Sequence, residues 1–164
     1  MTQFATNSAT ELQFREALSR YATGVTVVTC QSEVGPLGIT ANSFSSLSLD
    51  PPLILWAPAR ASKRFAAFEA AQEFAVHILA EDQHSLCQAF ARNGTQFDGI
   101  EWRSSENQVP IVDSCLARFD CTRHAVHEGG DHAIIVGKVN SVTARAGSPL
   151  VFANGFYGGV SKIG

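Results

Sequence analysis

Apolar positions along this chain recur with helical spacing in three short stretches and with strand-like density in most of the others. Residues 10–21 place Phe14, Ala17, Leu18 and Tyr21 three or four apart. That spacing predicts an amphipathic helix, with Thr10 as N-cap, Gln13 completing a capping box and Gly24 as a stop. The β-branched run Val25-Thr26-Val27-Val28-Thr29-Cys30 predicts a strand. Gly35-Pro36-Leu37-Gly38 predicts a turn into a second strand at Ile39-Thr40, and so a hairpin. Pro51-Pro52 precede a third strand over residues 53–57. Residues 62–69 predict a helix capped by Ser62 with Phe65 and Phe68 facing inward. Residues 74–79 predict a fourth strand, and residues 83–92 a helix capped by Asp82 and ended by Asn93-Gly94, with Leu86, Ala89 and Phe90 on its apolar face. Residues 111–112, 117–126 and 132–139 favour strands, with Gly129-Gly130-Asp131 as the turn between the last two.

About six strands, three inserted helices and no regular βαβ alternation point to a mainly β, antiparallel barrel rather than a doubly wound sheet. No repeat or linker divides the chain, so one domain is expected over residues 11–164, after a flexible tail over residues 1–10 rich in Thr, Ser and Asn. A 45% hydrophobic and 16% charged composition belongs to a globular protein. The net charge of −3, with Lys and Arg dispersed, argues against nucleic acid as a partner and leaves small molecules or proteins. The apolar stretch at residues 51–58 falls well short of the roughly 18 residues a membrane helix needs. The first eleven residues lack the features of a secretory signal, so a cytoplasmic location is expected. Cys30, Cys87, Cys115 and Cys121 have neither CxxC nor zinc-knuckle spacing and are expected as four reduced thiols.

Three stretches carry candidate chemistry. Thr40-Ala41-Asn42-Ser43-Phe44 opens a Ser-rich segment that reads as a turn between strands, or as an edge of small hydroxyl and amide residues along which backbone can approach a planar ligand. Ser62-Lys63 at a predicted helix start offers free N–H groups and a positive charge to an anion. Gly130-Asp131-His132 places a histidine at the start of a strand. A metal site built from His124, His127, His132 and Asp131 is not expected, because His124 and His127 lie three apart on a predicted strand and face opposite ways. GxSxG, GxGxxG and GxxxxGKS motifs are absent, which removes a nucleophile elbow, a Rossmann site and a P-loop from consideration.

Five stretches in order resemble the flavin reductase family, the small reductase components of two-component flavin monooxygenases. They are Gly24-Val25-Thr26-Val27-Val28-Thr29, the Thr40-to-Phe44 segment, Ser48-Leu49-Asp50-Pro51-Pro52-Leu53, Ser62-Lys63-Arg64-Phe65 and Gly130-Asp131-His132. The resemblance implies a six-stranded antiparallel Greek-key split β-barrel with short flanking helices, of the FMN-binding type, that forms homodimers. It implies that Thr40, Ala41, Asn42 and Ser43 line the isoalloxazine and ribityl chain, and that Ala57, Ser62 and Lys63 meet the phosphate end. His132 would be a catalytic helper near flavin and nicotinamide, with Asp131 and Tyr157 also on the NAD(P)H side. The implied activity is hydride transfer from NADH or NADPH to N5 of FMN or FAD, supplying reduced flavin to a separate monooxygenase. A flavoprotein with tightly bound FMN that reduces another acceptor, and a non-enzymatic flavin- or haem-binding barrel, are the alternatives. The sequence carries no signature that separates FMN from FAD or NADH from NADPH.

Overall fold

Twelve strands and three α-helices make up the computed structural model, which describes residues 3–161. In chain order they are α1 (Glu11–Ser19), β1 (Thr23–Gly24), β2 (Thr26–Ser32), β3 (Gly35–Ala41), β4 (Ser45–Leu49), β5 (Pro52–Trp56), α2 (Phe65–Ala70), β6 (Glu73–Ile78), α3 (His84–Arg92), β7 (Trp102–Ser104), β8 (Pro110–Val112), β9 (Ala117–Gly129), β10 (His132–Ala144), β11 (Val151–Ala153) and β12 (Phe156–Gly158). Seven strands form one antiparallel sheet in the order β3-β2-β6-β9-β10-β5-β4. Small sheets of β1-β11-β12 and β7-β8 flank it. The mainly β, antiparallel class expected from the sequence is the class observed.

The connection between β3 and β4 forces this sheet to roll. These two strands are its opposite edges, yet only Asn42, Ser43 and Phe44 separate them in sequence. Laid flat, the edges of seven strands would stand roughly 29 Å apart, whereas four Cα steps reach at most about 15 Å. The rolled sheet encloses one apolar cluster drawn from six of its strands and α2, including Val28, Leu37, Trp56, Phe68, Phe74 and Ile135. Trp56 meets Phe68 edge-to-face at 5.2 Å. Phe44, in the connection itself, packs its ring 5.6 Å from that of Phe119 and anchors the seam from inside.

A second cluster covers the outer side of β2, where Val25 and Val27 meet Leu79, Cys87, Phe90 and Leu150. With both faces of β2 covered, its first five residues have no solvent side to alternate toward, and all five are buried, the two threonines included. Two buried polar links hold β8 against this side. Thr29 Oγ1 donates to the Pro110 carbonyl at 2.6 Å. His77 Nδ1 lies 3.0 Å from the Val27 carbonyl, and the Val112 N–H donates to His77 Nε2 at 3.1 Å. One neutral tautomer, with the proton on Nδ1, satisfies both contacts.

Several local expectations shift. The turn of the first hairpin lies at residues 33–34, and Gly35-Pro36-Leu37-Gly38 is already strand. Gly38 is there for closeness of packing, because a Cβ would stand 2.5 Å from the Phe90 ring. The Ser-rich stretch is an edge strand, β4, rather than a turn. Its burial does not alternate, since four of its five positions, both leucines among them, are exposed. Helix α2 starts at Phe65 with Arg64 as N-cap, so Ser62 does not open it; its hydroxyl accepts from the Arg64 N–H at 3.3 Å within the preceding turn. Asp82 lies inside a 3-10 turn (Glu81–Gln83) and caps nothing; Gln83 Oε1 takes the Ala80 N–H instead. Thr10 stands at the N-cap position of α1 without a side-chain cap bond, and closes a capping box with Asn7 around a 3-10 turn (Ser8–Thr10). Residues 1–2 and 162–164, the ends of the expected tail and domain, lie outside the described residues.

Burial holds the His77 pKa near 4, down from 6.5, because the imidazolium would lose its hydration. The unfolded chain binds a proton there between those values and the folded chain does not. The stabilisation from His77 is therefore present in full above pH 6.5 and is lost as pH falls through about 4. The loss amounts to about 3 kcal/mol. Urea denaturation at a series of pH values checks this: the wild type should lose stability across that window, and His77→Leu, weaker at neutral pH, should show a flatter slope. Equal slopes in the two proteins would remove His77 as the cause.

Candidate functional site

Strand β3 is an edge of the sheet, and its outward backbone groups are partnered only at one end. At Gly38 the outward N–H donates to the Gly94 carbonyl at 2.8 Å, and the outward carbonyl accepts from Arg64 Nη1 at 3.1 Å. Backbone groups on an antiparallel strand point the same way at every second residue. Thr40 therefore presents its N–H and C=O outward as well, and neither these groups nor the backbone of Asn42, at the bend that ends β3, pair with a strand or loop among the described residues. The Asn42 side chain is exposed, and its amide makes no hydrogen bond among those residues. Ala41, between them, adds only a methyl group. The result is a short row of free donors and acceptors with little side-chain bulk over it.

This row forms one wall of a cleft of about 360 Å³, lined by Val25, Ile39, Thr40, Ala41, Asn42, Arg64, Ala91, Phe152 and Tyr157. Helix α3 supplies the floor. Thr40 Oγ1 donates to the Cys87 carbonyl at 2.7 Å, so its hydroxyl ties β3 to α3. The flanking sheet carries the opposite wall: β12 pairs with β11, and Phe152 and Tyr157 stand opposite each other with ring centroids 5.0 Å apart. Tyr157 also packs on His84 at 4.8 Å. Burial and its hydrogen bond to the Cys87 thiol push the Tyr157 hydroxyl up to about 12, so it stays protonated.

The predicted site residues fall into three groups. Thr40, Ala41, Asn42 and Tyr157 share the cleft. Ser43, Ala57, Asp131 and His132 form a second group beside the seam. Ser43 Oγ accepts from the Ala57 N–H at 2.9 Å and donates to the Ala57 carbonyl at 3.1 Å, so this hydroxyl carries the β4–β5 pairing (Ser45 opposite Leu55) into the connection. Three residues further on, Arg60 N–H donates to the Asp131 carbonyl, and Ala59 bridges to His132. His132 Nδ1 lies 2.8 Å from Asp131 Oδ1, and that contact draws the exposed carboxyl below its usual range. The third group is Ser62 and Lys63. Ser62 is held in its turn, and Lys63 lines a different cavity.

Arg64 is a side chain of the cleft that sequence alone did not single out. It lines the cleft, and Nη1 donates to the Gly38 and Phe90 carbonyls while Nη2 donates to the Ala91 carbonyl at 3.1 Å. Two of those acceptors lie in the last turn of α3, whose partial negative charge suits a guanidinium. Three of its five N–H donors are thus occupied, leaving Nε–H and one Nη2–H. The only trace of this in sequence is an Arg directly after Ser62-Lys63.

The arrangement fits a flavin. An isoalloxazine carries N3–H, O2, O4 and N5 along one edge, a mixed row that free N–H and C=O groups at Thr40 and Asn42, plus the Asn42 amide, can match. Aromatic rings at Phe152 and Tyr157 supply apolar flanks, and Arg64 supplies positive charge.

Comparison with known proteins agrees with the geometry. Residues 18–161 match the flavin reductase like domain. The chain is 50% identical over 149 residues to the FMN reductase (NADH) SmoA of Agrobacterium fabrum, covering 91% of this chain and 86% of that protein. It is 41% identical to HsaB, the reductase subunit of a flavin-dependent monooxygenase of Rhodococcus jostii, covering 90% and 77%. The solved structure of the NADH:FAD oxidoreductase SgcE6 of Streptomyces globisporus superposes with a TM-score of 0.91 at 31% identity, over all of this chain and 95% of that one. A rolled sheet with an open strand edge and a domain match over nearly its whole length place this chain in the flavin reductase like domain family.

Proposed function

We propose that this protein is an NADH-dependent flavin reductase that hands reduced flavin to a separate monooxygenase. The observation that carries the reading is the open edge of β3 at Thr40 and Asn42, set in a cleft on a flavin reductase barrel. The names of its relatives, an NADH-linked FMN reductase and a monooxygenase reductase subunit, support the nicotinamide and the partner. Bound flavin supplies the hydride acceptor at N5. What the chain supplies is position. The outward groups of Thr40 and Asn42 fix the ring edge, the Ala41 methyl leaves room for its face, and Tyr157 and Phe152 shield it from water. Hydride transfer from a nicotinamide carbon to a flavin nitrogen held in register needs no protein acid or base, so alignment and exclusion of water account for most of the acceleration. His132, oriented by Asp131, holds the dihydronicotinamide from the other side of the seam through its free Nε2.

A homodimer fits the surface. Helix α1 buries none of its residues; Phe14 and Leu18 on it are 44% and 58% exposed, and Tyr21 just past its end is 79% exposed. A second copy laid on this face is the occupant we assign. Four free thiols suit a reducing cytoplasm, and none of the described helices is long and apolar enough to cross a membrane.

NADH oxidation, followed by loss of its absorbance with FMN, with FAD and without added flavin, tests the activity. Turnover that depends on added flavin is expected; no oxidation under any condition would sink the proposal. Asn42→Leu removes one polar partner of the ring edge and should weaken flavin binding by about three- to tenfold. Unchanged flavin affinity would take Asn42 out of the site. His132→Ala should raise the KM for NADH more than that for flavin, and the reverse pattern would place His132 on the flavin side.

A further inference from the structure

At the end away from Asn42 the cleft is closed by one packed joint. Two glycines meet there, Gly38 on the edge of β3 and Gly94 in the turn that follows α3. The Gly38 N–H donates to the Gly94 carbonyl at 2.8 Å. Beyond the joint lies a separate cavity of about 640 Å³ against α2, and Arg64 stands between it and the cleft.

Gly94 is buried, and the space beside its Cα is already taken. A Cβ at this position would stand 2.6 Å from Arg64 Cδ and 2.8 Å from the Gly38 carbonyl oxygen, with Leu37 Cδ1 at 3.0 Å. The first two are closer than a methyl group tolerates. Neither neighbour is free to step aside. The Gly38 oxygen belongs to a strand paired along its length with β2, and the Arg64 guanidinium is held by the carbonyls of Gly38, Phe90 and Ala91. The turn cannot retreat either. Asn93 Oδ1 accepts from the Thr95 N–H at 3.1 Å and from its hydroxyl at 3.0 Å, and the Phe97 ring packs 4.9 Å from Phe90 of α3.

The aliphatic stem of Arg64 is thus clamped against a bare Cα. Its guanidinium spans β3 and the last turn of α3, with Nε–H and one Nη2–H unspent at the cleft. Hydrogen bonds from such groups weaken steeply as their angle falls, so a stem pushed aside by a methyl group turns them off a bound ligand. We propose that Gly94 is a positioning residue for the reaction: by carrying no side chain it seats the Arg64 guanidinium at the end of the open strand edge, where it meets the flavin. This rests on the flavin reductase reading of the cleft. Gly94 itself lines no part of the cleft and acts through Arg64.

Steady-state kinetics with FMN and NADH test this, each KM measured with the other substrate saturating. Gly94→Ala should raise the KM for FMN about tenfold, the scale of a lost hydrogen bond from a charged group, and leave that for NADH within about twofold. A role confined to stability would lower the fraction of active protein, and with it kcat, and leave both KM values alone. Arg64→Ala should raise the FMN KM by itself. With the stem gone the added methyl meets free space on that side, so Gly94→Ala placed on Arg64→Ala should cost no more than about twofold further. Asn93→Ala loosens the same turn from an exposed position without a clash, and should raise the FMN KM by about threefold. Three results would each overturn the assignment: an unchanged FMN KM in Gly94→Ala, an equal rise for NADH, or a Gly94→Ala cost that persists undiminished in Arg64→Ala. If Gly94→Ala does not fold, an unchanged FMN KM in Asn93→Ala overturns it instead. Failure of the wild type to oxidise NADH with FMN would strike the reductase reading itself.

Discussion

A three-residue connection between the two edges of a seven-stranded sheet is the constraint on which this molecule turns. Because residues 42–44 join β3 to β4, the sheet has to roll until its edges meet. The same brevity stops the edges from zipping together: β3 pairs only with β2, and β4 only with β5. Unpaired strand edges are ordinarily a hazard, since they invite pairing with another chain. Here part of the edge is covered by Gly94 and Arg64, and the remainder, at Thr40 and Asn42, is left in a cleft where a planar molecule can take the place of a neighbouring strand.

The supports of this seam come from distant parts of the chain. Phe44 ties it to the core through Phe119, Ser43 ties it to Ala57, and Thr40 ties it to α3 through Cys87. Arg64 joins β3 to the end of α3 with one side chain. The links through Ser43, Thr40 and Arg64 each use a side chain to hydrogen-bond backbone groups, while Phe44 holds by ring packing. The two-sided burial of β2, pinned by the neutral His77, gives these links a stiff platform. Function in this reading is a property of the unfinished barrel: an alternation of donors and acceptors held still, with aromatic walls above it.

Much of the fold was legible because strand signals here are strong. The β-branched run of β2 and the apolar stretches of β5, β6, β9 and β10 announced themselves, and the two-residue turn at Gly130-Asp131 followed from its glycines. The errors have a common cause. Gly35-Pro36 looked like a turn, Ser45 to Leu49 looked like a loop, and Ser62 looked like a cap, because each sits where one side of the chain is open to solvent or the backbone is held by a distant partner. Gly38 is glycine on account of Phe90, a residue 52 positions away that no local pattern reveals. The site was legible in part for the same reason. Thr40, Ala41, Asn42 and Tyr157 do converge, but the hydroxyl of Ser43 is taken up by the backbone of Ala57. Arg64 gains its place from the end of α3, which only the fold brings near.

The exchange of backbone amide hydrogens at Thr40 and Asn42, followed by NMR with and without FMN, tests the open seam most directly. These two N–H groups should exchange rapidly in the flavin-free protein, while their neighbours Ile39 and Ala41, paired to β2, exchange slowly. Adding FMN should slow Thr40 and Asn42 to rates like those of their neighbours. Slow exchange at both positions without flavin, or rapid exchange that FMN leaves unchanged, would contradict a site built on the unpaired edge of β3.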